Sequence, residues 1–268
     1  MSANKILYIN QEITPYLPET PISVNSRYLP QAIQEKGKEI RTFMPKFGNI
    51  NERRNQLHEV IRLSGMNLII NDTDHPLIIK VASIQAARMQ VYFIDNEDYF
   101  KRRSTTVDSK GHEHKDNDER SIFFVRGVLE TIKKLLWMPD IIDCHGWMGA
   151  LTGLYIKTSY GDDPLFKNSK VVYSLYKDDF KEPFAPGFDK KMMHSNIQPG
   201  DVSALSGSID YITLQKFAID HADGVMQCEE NINPEVLEYA KASGKKFLPY
   251  IGKLEDAVEG INNFYDNL

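Results

Sequence analysis

Residues 138–151, Met138-Pro139-Asp140-Ile141-Ile142-Asp143-Cys144-His145-Gly146-Trp147-Met148-Gly149-Ala150-Leu151, restrict the fold more than any other stretch. Pro139 ends whatever helix precedes it, because proline lacks the N–H that a helix interior needs. Ile141-Ile142 is a short apolar run, the form of a strand buried on both faces. His145-Gly146-Trp147 then turns the chain into a new amphipathic helix. Before this stretch, Ile122, Val125, Val128, Leu129, Ile132 and Leu136 recur at helical spacing from residue 118 to 136. Helix, buried strand and helix in that order fit a parallel sheet with helices on its faces. In such sheets ligands gather at the carboxyl ends of the strands, where His145 falls. A histidine there serves either as a hydrogen-bonding spacer or as a site residue, and spacing alone leaves both readings open.

The opening of the chain repeats the theme. Ile6-Leu7-Tyr8-Ile9 reads as a buried strand, and residues 11–22 carry three prolines and read as loop. A helix is expected over about 25–36, with Leu29, Ala32 and Ile33 on one face and Gly37 as its stop, followed by a strand at 39–44. Residues 57–94 change character: short strands at 58–63, 66–70, 77–82 and 90–94, split by polar turns, predict an antiparallel insertion of hairpins. The segment 99–116 reads as an exposed loop. His112 and His114 lie in it beside Asp116 and Asp118, but no rigid frame holds them, so a solvated loop is preferred to a metal site. Further on come a helix at about 147–159, a strand at 170–175, a weakly patterned stretch at 177–208, a helix at 211–221, a strand at 224–226 and a helix at 234–242. The tail from residue 253 to 266 places Leu254, Ala257, Val258, Ile261 and Phe264 at helical spacing and is expected to fold back onto the body. The fold class is therefore α/β: a doubly wound, mostly parallel Rossmann-like sheet with a hairpin insertion, read as one domain over 1–268.

Composition excludes several functions. A net charge of −5 argues against nucleic acid, which calls for a basic face. No apolar run reaches the length of a membrane span, and residues 1–5 lead into the first strand with no signal-like segment. Cys144 and Cys228 show no CxxC spacing, pointing to a reducing, cytoplasmic setting without structural zinc. G-x-G-x-x-G, the P-loop, G-x-S-x-G and HExxH are all missing, so no nucleotide cofactor or metal is expected. The first β–α loop holds Pro18 and Pro21, which have no amide to offer an anion.

Several ordered blocks resemble the N-terminal half of bacterial glycogen synthases and plant starch synthases. They are Glu12-Ile13-Thr14-Pro15; Leu29-Pro30-Gln31-Ala32-Ile33 through Gly37 to Met44-Pro45-Lys46-Phe47; Asp116-Asn117-Asp118-Glu119-Arg120 through Phe123-Phe124 and Leu129-Glu130; and Pro139 to Ile142 with His145, Trp147 and Ala150-Leu151. Lys216 and Ala222-Asp223 extend the series. The resemblance implies a single GT-B half and a retaining transfer of glucose from ADP-glucose to the non-reducing end of an α-1,4-glucan. It implies His145 as the catalytic-site residue holding donor hydroxyls, Lys216 supporting the cleft, and Trp147 and Tyr176 as substrate-binding faces. Glycogen is the implied partner, along with self-association or a separate C-terminal GT-B half, which this sequence does not contain.

The chain departs from that family at chosen places. The K-T-G-G-L loop becomes Pro18-Glu19-Thr20-Pro21-Ile22, the H-D-W shoulder becomes His145-Gly146-Trp147, T-I-H-N becomes Ser174-Leu175-Tyr176-Lys177, and V-S-P becomes Cys228-Glu229-Glu230. A leaving diphosphate needs positive charge or oriented amides as its bond breaks. These changes therefore set a second expectation beside the first: a catalytically inactive glucan-binding or protein-interaction module.

Overall fold

A computed structural model describes residues 3–268. The chain opens with β1 (Lys5–Asn10), α1 (Pro21–Glu35) and β2 (Glu39–Pro45). β3 (His58–Glu59), β4 (Met66–Ile70), β5 (Thr73–Ile84) and β6 (Met89–Asp95) follow, then the short α2 (Glu97–Phe100) and the long α3 (Asn117–Lys134). The second half runs β7 (Ile141–His145), α4 (Thr152–Lys157), β8 (Lys170–Leu175), α5 (Phe188–Lys191), α6 (Tyr211–His221), β9 (Gly224–Gln227), α7 (Pro234–Ala242), β10 (Lys246–Leu248) and α8 (Leu254–Asp266).

The strands form a ten-stranded mixed sheet in the order β10-β9-β8-β7-β1-β2-β6-β5-β3, with β4 paired to β5. From β10 to β6 every pairing is parallel. The chain winds outward from β1 in one direction through β2 and β6, then returns and winds outward the other way from β7. The switch point thus falls between β1 and β7, where loops diverge and leave a crevice.

Strand alternation divides the core in two. Leu7 and Ile9 of β1, with Ile142 and Cys144 of β7, join a large core with Ile122, Phe123 and other residues of α3. Ile6, Tyr8 and Ile141 point the opposite way, into a smaller core closed by Leu29 and Ile33 of α1 and by Ala257, Ile261 and Tyr265 of α8. Those α8 residues stand four apart, so they form one stripe. Burying each of the larger ones stabilises the fold by about 1.5–3 kcal/mol.

Several expectations need revision. β6 forms the expected hairpin with β5 but does not lie in a separate insertion: it also pairs parallel to β2 (Thr42↔Val91 onward), so only β3, β4 and β5 are antiparallel additions. Its apolar run is what a strand buried on both faces requires, which an insertion reading overlooks. Residues 61–63 are turn rather than strand, and residues 97–100 form a helical turn that runs into the start of the expected loop at 99. α1 begins at Pro21, inside the stretch read as loop. Thr20 caps it, its Oγ1 accepting from the Ser23 amide at 3.0 Å while Ser23 Oγ accepts from the Thr20 amide at 2.8 Å. Pro21 sits at the first helical position, where a missing N–H costs nothing. The helix expected from 147 splits into a 3-10 turn at Trp147–Gly149 and α4. The three-residue β10 shows no period long enough to read. No helix among the described residues is long and apolar enough to cross a membrane.

Candidate functional site

Two polar clusters flank the switch point. The first is sealed. Asp143 and His145 stand two apart on β7 and point to the α1/α8 side, where neither is exposed at all. Asp143 Oδ1 accepts from Ser174 Oγ at 2.7 Å and its Oδ2 accepts from Tyr265 Oη of α8 at 2.6 Å. His145 Nδ1 lies 2.7 Å from Tyr176 Oη, which also receives the Asn25 side-chain amide at 3.3 Å. His145 Nε2 is 3.0 Å from Asp143 Oδ2, an ion-pair distance, but the atom has no well-aligned hydrogen bond. Burial drives the Tyr176 and Tyr265 hydroxyls well above the usual tyrosine range, so both stay neutral. The His145 ring therefore reaches neither solvent nor an open cavity; it reaches Tyr176.

The second cluster is open. A cleft of about 420 Å³ lies over the carboxyl ends of β1, β7 and β8. Its ionisable lining is Glu12, Glu113, Asp178, Asp179 and Glu229 against Lys177 and Lys181. Asp178 is fixed in the wall: its Oδ2 accepts from the Trp147 amide at 2.8 Å and its Oδ1 from Tyr211 Oη at 2.5 Å. Burial pushes the Asp178 carboxyl up to about 7, against the lowering effect of those two donors. Burial also raises Glu12, which accepts from Thr20 Oγ1 at 2.6 Å, and raises Glu113. The cleft is thus rich in acceptors and poor in cations.

Local geometry explains the changed shoulder after β7. Gly146 holds φ +93°, and a Cβ built there would lie 2.7 Å from Gln11 Cβ. Gln11 in turn accepts the Met148 amide through Oε1 at 3.1 Å, and its own amide donates to the His145 carbonyl at 2.9 Å. Gln11 and Gly146 therefore form one clasp, and an aspartate at position 146 would not fit beneath it.

Of the residues singled out from sequence, His145 and Tyr176 are brought together, in the sealed cluster. The Trp147 ring is 2% exposed, wedged edge-on against Phe180 and Phe184 at 5.4 and 5.6 Å, and meets the cleft as part of its wall. Lys216 lies apart from all three on α6, its Nζ 2.6 Å from Glu235 of α7 and 5.3 Å from the Tyr239 ring centre. The loop histidines also go separate ways: His112 Nδ1 meets Glu182 at 2.8 Å, and His114 Nε2 meets Ser104 at 2.8 Å. No group of three or more metal-ligating side chains gathers among the described residues. Sequence reasoning missed Gln11, Glu12, Asp178 and Glu229. Asp178-Asp179 had a usable signal, since the pair begins three residues after the end of β8. Tyr265 had none; only the docking of α8 sets it against Asp143.

Residues 5–248 match the starch synthase catalytic domain family. The chain is 36% identical over 236 residues to the glycogen synthase of Chlorobaculum tepidum, covering 87% of this chain and 47% of that protein. It is 34% identical over 265 residues to the glycogen synthase of Chlorobium phaeovibrioides, covering 98% and 53%. Its backbone superposes with a TM-score of 0.71 on the catalytic domain of starch synthase IV from Arabidopsis thaliana, bound to ADP and acarbose, at 15% identity over 93% of this chain and 51% of that one. The chain spans about half the length of the curated relatives it matches. The doubly wound sheet is accordingly one GT-B half, and the chain belongs to the starch synthase catalytic domain family.

Proposed function

We propose that this domain takes part in glucosyl transfer from ADP-glucose to the non-reducing end of an α-1,4-glucan by holding the glucan. In this reading, residues outside these 268 hold the nucleotide diphosphate. The observation that carries the proposal is the cleft lining, with five carboxylates against two lysines. Sugar hydroxyls are donors that carboxylates accept, whereas a diphosphate offers only acceptors and negative charge. The loop after β1, where the family places a lysine and glycines, here carries Pro18 and Pro21, and the Ser23 amide at the start of α1 is already taken by Thr20. Leaving-group stabilisation must then come from a second half, as a further part of the same polypeptide or as a separate chain. Within this reading Asp178 and Glu12 contact glucan hydroxyls, and His145 acts through Tyr176 as a positioning residue. The chain works as one unit in a cytoplasmic setting, which suits the free Cys144 and Cys228.

A second reading, a catalytically inactive glucan-binding module, draws support from the same cation-poor loop. One experiment separates the two. The purified chain is incubated with ADP-glucose and glycogen, alone and with a C-terminal half of a related glycogen synthase, while ADP release and co-sedimentation with glycogen are followed. Transfer is expected only in the mixture, with sedimentation in both. Sedimentation without transfer in either sample selects the inactive module. No sedimentation at all overturns the glucan reading.

A further inference from the structure

A second cavity adjoins the cleft and is put to no use by the function above. It is a groove of about 530 Å³ between α1, the ends of β9 and β10, and the segment 249–255 that leads into α8. Pro21 and Glu229 line both cavities, so groove and cleft meet across that pair. From α1 the groove receives Pro21, Val24, Asn25 and Tyr28, spaced three and four apart and so on one helical stripe. Tyr28 is 50% exposed, with the Arg27 guanidinium over one face of its ring at 4.9 Å, and Tyr250, on the opposite rim, is 37% exposed. Each rim thus still presents one large, partly exposed aromatic side chain to the concavity, which is unusual for a surface with no partner.

The polar groups of the groove specify what it can hold. Asn25 Nδ2 donates to Tyr176 Oη at 3.3 Å and to the Cys228 carbonyl at 3.4 Å. Gln227 Nε2 donates to the carbonyls of Glu229 and Glu230, both at 3.1 Å. Carbonyls only accept, so both amides are fixed with nitrogen toward the backbone and oxygen free. Asn25 Oδ1 and Gln227 Oε1 are then acceptors awaiting donors, and so is the Oε1 atom of Glu229, whose Oε2 already accepts from the Lys177 amide at 3.0 Å. Lys253 is the single cation of the lining and Glu255 stands beside it. The floor is Tyr176, 2% exposed and tied to His145 at 2.7 Å. Apolar faces on two sides with acceptors between them match a ligand having C–H faces and hydroxyl edges; a phosphate or a purely aliphatic chain satisfies only one of those requirements.

We infer that this groove is a second glucan subsite, in which α-linked glucose rings stack on Tyr28 and Tyr250 and donate hydroxyls to Asn25, Gln227 and Glu229, as a continuation of the chain held in the cleft. The inference rests on the glucan reading of the cleft. It also gives His145 a place: it orients the Tyr176 hydroxyl, and through it Asn25, beneath the bound sugar.

The test is the length dependence of oligosaccharide affinity, measured by calorimetry on the full chain with maltotriose and maltoheptaose. Wild type is expected to bind the longer sugar more tightly. Tyr28→Ala with Tyr250→Ala is expected to weaken maltoheptaose about tenfold while leaving maltotriose unchanged, since two stacking faces are removed from the groove alone. Tyr28→Phe with Tyr250→Phe keeps the stacking and is expected to keep the affinity, and unchanged melting temperatures in all variants exclude misfolding. Undiminished maltoheptaose affinity in the alanine variant overturns the groove and leaves the glucan reading standing. Equal wild-type affinity for the two sugars also overturns it. Binding of neither sugar overturns the groove and the glucan reading together.

Discussion

Asp143 and Asp178 make an instructive pair. Both stand near the carboxyl ends of neighbouring strands, both accept from a tyrosine hydroxyl, and both have a second donor. Asp143 points to the face that α8 covers, where Ser174, Tyr265 and His145 surround it and it is wholly buried. Asp178 lies beyond the strand end, in the wall of the cleft, where Asp179 adds negative charge beside it. The first cluster closes on itself and ties a C-terminal helix to the sheet. The second has acceptors left over and space to use them. Position at a strand end therefore marks a region, while the face to which the side chain points decides between latch and site.

Breaking the sealed side should have the largest effect. Asp143→Ala leaves the Ser174 and Tyr265 hydroxyls and His145 without their common partner in a buried setting, and is expected to cost about 3–5 kcal/mol of stability. Denaturant unfolding measures it; a loss below about 1 kcal/mol would mean that the cluster relaxes or hydrates instead of staying sealed. Maltotriose binding in the cleft by whatever fraction stays folded should persist, because Glu12 and Asp178 are not touched.

The open side should respond to pH. The folded-state value of about 7 for Asp178 lies above its ordinary 3.8, so the folded protein holds that proton more tightly than the unfolded chain. The resulting stability is complete below about pH 4 and is lost as pH rises through about 7, by at most about 4 kcal/mol. Asp178→Asn, which can still accept from the Trp147 amide, is expected to flatten the stability profile between pH 4 and 8. Parallel profiles for the two proteins would show that the Tyr211 and Trp147 donors hold Asp178 ionised throughout.

The smallest effect belongs to Lys216, which lies in neither cluster. Its ion pair with Glu235 is half open to solvent on the outer side of α6 and α7, so Lys216→Ala should change stability by no more than about 0.5 kcal/mol. Glycogen co-sedimentation should also be unchanged. A clear loss of glucan binding in this variant would place a glucan contact on the α6/α7 surface and enlarge the site beyond the cleft and groove.

The sequence alone determined the parallel sheet, because β1, β7 and β8 are short apolar runs between helical periods, a pattern that only a sheet covered on both faces can bury. It also located the switch-point region, since Pro139, Ile141-Ile142 and His145-Gly146-Trp147 fix where one strand stops. Tertiary structure decided the rest. The apolar run of β6 marks it as buried on both faces, but that its partners are β2 and β5 is a long-range choice. That His145 faces α8 and Tyr176, while Asp178 faces the cleft, depends on the pleat and on a helix docking from more than a hundred residues away, through Tyr265 on Asp143. Periodicity records which residues must be buried; it carries no record of what buries them, and that difference separates a latch from a binding site.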